Sequence, residues 1–105
     1  MAFTLLNNDT EQKFLEFEAK TALIYISMDL SSIAGTITIR EYEKVDGANY
    51  TLTSSAEFPG DFPAGIKSVN VTHSQLNCDY KVTLQAAVPE GYDRQIPYRF
   101  GVEEK

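Results

Sequence analysis

The run GTITIREYEK at residues 35–44, the step DG at 46–47 and the run ANYTLTS at 48–54 decide the fold. Two stretches rich in Thr, Ile, Tyr and Leu flank an Asp-Gly pair, which supplies the positive backbone angles of a tight reversal. We read a β-hairpin here. Ile37 and Ile39 share its core face, and Glu41 and Glu43 continue that face beyond the edge of the core unless a bulge shifts the phase. Thr36, Thr38, Arg40 and Tyr42 face the other way. The charges of the distal half place the tip in water. Tyr50 and Leu52 alternate with Thr51 and Thr53, which marks a half-buried return strand.

Outward from the hairpin the period-two pattern recurs. Residues 2–6 are a short apolar run ending in an Asn/Asp turn. In residues 12–18, Leu15 and Phe17 oppose Phe14, Glu16 and Glu18, which favours a strand over a short helix opening at Thr10. Residues 21–30 put Ala22, Ile24, Ile26, Met28 and Leu30 on one face, and Leu23 and Tyr25 begin the other. That pattern suits a central strand covered on both sides or lying under an interface. Residues 66–72 point Val69 and Val71 inward, and residues 77–86 alternate Tyr80, Val82, Leu84 and Ala86 with Asp79, Lys81, Thr83 and Gln85. Residues 95–103 set Ile96, Tyr98, Phe100 and Val102 against Pro97, Arg99, Gly101 and Glu103, and Pro97 places this strand at an edge or at its own start. The segment AEFPGDFPAG at residues 56–65 carries two prolines and reads as a loop. Its Phe58 and Phe62 either plug the end of the core or dock a partner.

The expectation is an all-β protein: an antiparallel β-sandwich, jelly-roll or Ig-like Greek key, of about seven to eight short strands. The length of 105 residues predicts a single domain, with residues 1–8 as an N-terminal arm or edge strand. The Cys…Trp…Cys core of true Ig domains is missing, because Trp is absent and Cys78 is alone.

Composition narrows the function classes. A net charge of −6 without a Lys/Arg cluster speaks against a nucleic-acid partner. The first residues lack a basic, then apolar leader, and no apolar run approaches membrane-spanning length, so no membrane association is expected. With one cysteine no intrachain disulfide forms, which leans toward an intracellular origin or assembly onto something larger. The single histidine, His73, has no Gly-x-Ser-x-Gly elbow beside it, and Cys78 shows no oxyanion signature. The carboxylate pairs Glu16/Glu18, Glu41/Glu43 and Glu103/Glu104 read as solvated strand faces, and neither Asp61 nor Asp79 lies in an EF-hand pattern. We therefore expect no enzyme, no catalytic residue, no cofactor and no metal. Three Asn-x-Thr sequons, at Asn8, Asn49 and Asn70, read as coincidence in a Thr-rich chain. Tyr25, Tyr42, Tyr50, Tyr92 and Tyr98 raise a second reading, a carbohydrate-binding or adhesion module with an aromatic platform; in small sandwiches such residues more commonly cap the core.

The stretches TITIREYEKVDGANY at residues 36–50, YKVTLQ at 80–85 and RQIPY at 94–98 occur in an order that resembles small structural proteins of tailed phages and archaeal viruses. The resemblance covers residues 23–100 in pattern, leaves out the loop at 58–65, and consists of strand and turn motifs rather than site chemistry. It implies a virion component, a capsid decoration or accessory protein assembled in the host cytoplasm, with viral capsid or tail proteins as partners. It carries over no functional residues. A homo-oligomer fits such a role, and Phe3, Leu5, Phe58 and Phe62 are the apolar side chains expected to contact partners.

Overall fold

The alternating pattern is realised as one antiparallel sheet. The computed structural model describes residues 1–58 and 67–105, so Phe62 and most of the proline-containing loop lie outside the described residues. In chain order the strands are β1 (Ala2–Leu5), β2 (Gln12–Asp29), β3 (Ile37–Glu43), β4 (Thr51–Phe58), β5 (Ser68–Ala86) and β6 (Arg94–Glu104). They stand side by side as β1-β6-β2-β5-β3-β4. No helix occurs among the described residues.

The hairpin forms where the sequence places it. β3 and β4 pair antiparallel, with Ile37 opposite Phe58 and Glu43 opposite Thr51. The reversal is longer than a two-residue turn. Gly47 adopts φ 81°, and the Asp46 carboxylate accepts the backbone amides of Ala48 and Asn49, each at 2.8 Å. β4 runs on through Ala56 and Glu57 to Phe58, residues whose sequence reads as the start of the loop. Nothing before Pro59 removes a ladder donor, so the strand continues up to it.

Among the described residues six strands stand where about seven to eight short ones are expected, because two pairs of expected strands are each one long strand. The expected strands 12–18 and 21–30 both fall in β2, which ends at Asp29, and the expected strands 66–72, from Ser68 on, and 77–86 both fall in β5. The breaks in alternation are β-bulges, not loops. An extra residue flips the inside/outside phase without ending the strand. In β5 the buried core-facing positions are Val69 and Gln75 before the flip, and Tyr80, Val82, Leu84 and Ala86 after it, while Thr83 is buried on the opposite face. The flip falls at Asn77, whose φ of 53° is a left-handed value that Asn tolerates better than most side chains. In β2 the register jumps between Phe17, Lys20 and Thr21, opposite Cys78 and Leu76. A second jump between Lys13 and Leu15 explains why Phe14 and Phe17 are both buried, although simple alternation put them on opposite faces.

The facing bulges fold the sheet over. His73 and Tyr80 lie seven positions apart on β5 and would be about 23 Å apart on a straight strand. Their rings instead stack at 3.8 Å with an interplanar angle of 6°. One leaf holds residues 12–17 of β2, 80–86 of β5, and the β3–β4 hairpin; the other holds 20–29 of β2, 68–78 of β5 and 98–104 of β6. Between them Ile37, Ile39, Tyr80, Val82 and Leu84 meet Ala22, Ile24, Ile26, Met28 and Val69 in one core. Each large apolar side chain so buried contributes roughly 1.5–3 kcal/mol. Among the described residues no layer covers the outer face of residues 20–29 of β2, where Tyr25 is 44% exposed; the apolar start of that strand suggests either cover on both sides or a place under an interface.

Two devices fix the ends. Pro97 lacks an N–H, and the β2–β6 ladder stops beside it at Tyr98; from there to Arg94 the strand pairs with β1 instead. In the β5–β6 connection the Glu90 carboxylate accepts the amides of Ala34 and Gly35, both at 2.8 Å, and lies 3.2 Å from Arg94 Nε. A Cβ on residue 35 would stand 2.9 Å from Glu90 Oε2, so glycine is what lets the carboxylate approach.

Candidate functional site

The densest set of polar side chains sits where the sheet folds. Glu41 and Glu43 do continue the face of Ile37 and Ile39, and the fold brings His73 of the opposite leaf against them. His73 Nε2 lies 2.7 Å from Glu43 Oε1, and Nδ1 lies 3.8 Å from Glu41 Oε1. The short approach is off the N–H direction, an electrostatic contact rather than an aligned hydrogen bond. The Tyr80 hydroxyl donates to Glu41 Oε1 at 2.7 Å, and Cys78 Sγ donates to Glu43 Oε2 at 3.4 Å. Gln75, also buried, donates from Nε2 to the carbonyls of Glu18 and Cys78 and so staples the two bulges together.

The protonation chemistry of this cluster runs against nucleophilic use. Burial pushes the Cys78 thiol up, and the hydrogen bond to Glu43 adds to it. A reactive cysteine needs the opposite shift. Burial also raises Tyr80 far above the usual phenol range, followed by its hydrogen bond to Glu41. Beside the cluster the hairpin loop and the bend of β5 frame a shallow groove of about 430 Å³, lined by Glu43, Lys44, Val45, Leu76, Cys78 and Asp79 among others. Lys44 and Asp79 pair across it at 3.4 Å. Among the described residues no group of three or more His, Cys, Asp or Glu side chains is placed to hold a metal ion.

A second polar network covers the outer face of the hairpin leaf. Lys81 Nζ stands 4.9 Å from the Tyr42 ring and 4.6 Å from the Tyr50 ring. The Tyr50 hydroxyl donates to Glu16 at 2.6 Å, and the Tyr42 and Thr83 hydroxyls donate to Glu11. The bond from Tyr50, then that from Lys13, hold Glu16 below its ordinary value of 4.5. At Glu11 burial works upward, but the bonds from Thr83 and Tyr42 with the charges of Arg40 and Lys81 outweigh it, and the net shift is downward. Carboxylates lowered in the folded state add stability that is complete above their unfolded pKa and is lost as pH falls through the folded one. Tyr50 and Tyr80, raised in the folded state, add stability that is complete below the ordinary 10.0 and is lost as pH rises further. We expect the thermal midpoint, followed by circular dichroism, to fall on the acid side of about pH 4 and again above about pH 10. Glu16→Gln should flatten the acid limb and Tyr80→Phe the alkaline one.

The expected contact residues differ in how much surface they offer. Leu5 is 1% exposed and belongs to the core, which leaves it no surface to offer a partner. Phe3 and Phe58 are partly buried against that core. Phe3 packs edge-on to Phe14 at 5.2 Å and Phe14 to Tyr98 at 4.8 Å, the start of an aromatic chain that continues through Phe100 and Phe17 to Tyr80 and His73. The five tyrosines weighed as a sugar platform do not share a face. Tyr42 and Tyr50 lie on the hairpin leaf, Tyr25 on the outside of the other, Tyr98 turns toward the core, and Tyr92 stacks on Arg94 at the β5–β6 connection.

The sequence places the last strand, residues 95–103, at an edge or at its own start, but does not single out its far half as a contact surface. Its residues 98–104 pair with β2 on one side, and no strand pairs with the other side among the described residues. Phe100 and Val102, which continue the inward face of Ile96, remain 40% and 37% exposed at this edge. The available signal was Gly101, a glycine in the middle of an otherwise regular strand pattern.

By its architecture the chain is an all-β protein built on one folded antiparallel sheet. No family model matches it, and no curated protein matches it.

Proposed function

We propose that this protein is a non-enzymatic structural component of a virion, a capsid decoration or accessory protein acting through contacts with capsid or tail proteins and with copies of itself. In this reading the folded sheet serves as a compact β-sandwich module whose two leaves are halves of the same long strands. The observation that carries the reading is the unpaired, partly apolar edge of β6, a surface suited to adding a further strand. The cluster of His73, Glu41, Glu43, Cys78 and Tyr80 supports the non-enzymatic part, since its thiol and phenol hold their protons tightly. The virion setting rests on the sequence resemblance. A carbohydrate-binding module remains the second class, and the dispersal of the tyrosines weighs against it.

The test is quantitative mass spectrometry of virus particles purified by density gradient from the source culture. The expected result is this chain at a fixed copy number relative to the major capsid protein. Intact particles lacking the chain would overturn the virion reading.

A further inference from the structure

We propose that the free edge of β6 pairs with the same edge of a second copy of this chain, antiparallel, about a two-fold axis through Gly101. The inference does not depend on the virion reading, since it follows from the hydrogen-bond parity and the side-chain order of this strand.

The parity comes first. The Tyr98 amide donates to Met1 O on the β1 side at 3.0 Å, and the Lys105 amide donates to Thr21 O on the β2 side at 2.9 Å. Even-numbered residues of β6 therefore turn their backbone groups away from β2, and odd-numbered ones turn theirs toward it. Phe100, Val102 and Glu104 present the unused donors and acceptors. A two-fold axis through Gly101 sets the two glycines opposite each other as a non-hydrogen-bonded pair. It sets Phe100 opposite Val102 of the second copy as a hydrogen-bonded pair, and the reverse. The free groups of both strands then meet.

The side chains agree with that register. Phe100 and Val102 share the inward face, so each covers its counterpart's exposed apolar surface across the axis. On the outward face Arg99 of each copy falls opposite Glu103 of the other. Arg99 is exposed and makes no ion pair among the described residues. Glu103 has only an exposed partner, Lys105, at 3.3 Å, a pair that contributes little. Other registers lose this match: an axis through Phe100 puts Arg99 opposite Gly101, and one through Val102 puts Arg99 opposite Lys105, like against like. Gly101 itself has no positive φ and nothing within 4 Å of where its Cβ would be, so the monomer gives no reason for a glycine there. A second backbone passing close by gives one.

Sedimentation equilibrium of the full chain over a concentration series tests this, with far-UV circular dichroism confirming that each variant keeps its sheet. The parent is expected to form a dimer of twice 11.7 kDa. Arg99→Glu and Glu103→Arg should each raise the dissociation constant about tenfold or more, and the double variant should return it to within a few-fold of the parent. Glu103→Arg separates local pairing from overall repulsion: it changes the net charge from −6 to −4 (−6 + 2), so general repulsion would make it associate more tightly, and the pairing makes it weaker. A monomer up to about 1 mM, a dimer indifferent to the single reversals, or a double variant that is not rescued would each overturn the proposal. None of these outcomes bears on whether the chain is found in particles.

Discussion

Replacing Tyr80 by alanine is expected to cost about 3–5 kcal/mol, a large fraction of the stability of a domain this size. Tyr80 is fully buried and is the largest side chain in the core. Its ring stacks on His73 at 3.8 Å and lies 5.9 Å from Phe17, so it is the central ring between the two leaves. Truncation removes that ring and leaves a cavity where the sheet folds, where the surrounding backbone is held by bulges and cannot easily collapse. It also strands the Glu41 carboxylate, which loses the hydroxyl at 2.7 Å. Urea denaturation of the variant should show either a large drop in midpoint or no cooperative transition. Tyr80→Phe divides the two contributions: it keeps the ring and removes only the bond to Glu41. It should cost about 1–2 kcal/mol. Equal costs for the two variants would mean that the hydroxyl, not the stack, holds the leaves together.

Glu90→Ala is the second large effect, at about 3 kcal/mol. The carboxylate is almost fully buried and serves three groups at once: the amides of Ala34 and Gly35, and Arg94. Its loss leaves two amides without acceptors and a largely buried guanidinium with only the Tyr92 ring and hydroxyl and the Glu90 carbonyl. Glu90→Gln should recover part of the cost, since its oxygen replaces one acceptor while its NH₂ faces the other donor. The glycine opposite provides an internal check. Gly35→Ala should destabilise the parent, because the new methyl meets Glu90 Oε2 at 2.9 Å, yet be nearly neutral in the Glu90→Ala background. Additive costs in that cycle would rule out the proposed contact.

The elements that the chain declared by itself are those set by short-range chemistry. The Asp46-Gly47 reversal, the core face of Ile37 and Ile39, and the alternation through Tyr80 to Ala86 each depend on neighbours within a few residues. The position of Glu41 and Glu43 on the Ile face was legible for the same reason. Their encounter with His73 was not. It joins residues about thirty positions apart through a fold in the sheet, and the bulge at Asn77 that makes the fold appears in sequence only as a lapse of alternation. The same lapse made two long strands look like four short ones. Leu5 illustrates the converse: the short apolar run reads as an arm or an edge strand, and only its pairing with β6 opposite Arg94 buries it.

Strand periodicity and turn chemistry are local, so the class, an antiparallel all-β protein with a hairpin at Asp46-Gly47, is legible in the chain alone. Long-range pairing decided which residues meet across the leaves, that Glu90 ties the β2–β3 and β5–β6 connections, and that the far half of β6 keeps one edge unpaired among the described residues. Those depend on where bulges bend the sheet and which backbone groups are left without a partner. Both are properties of long-range pairing, and a one-residue change in register rewrites them.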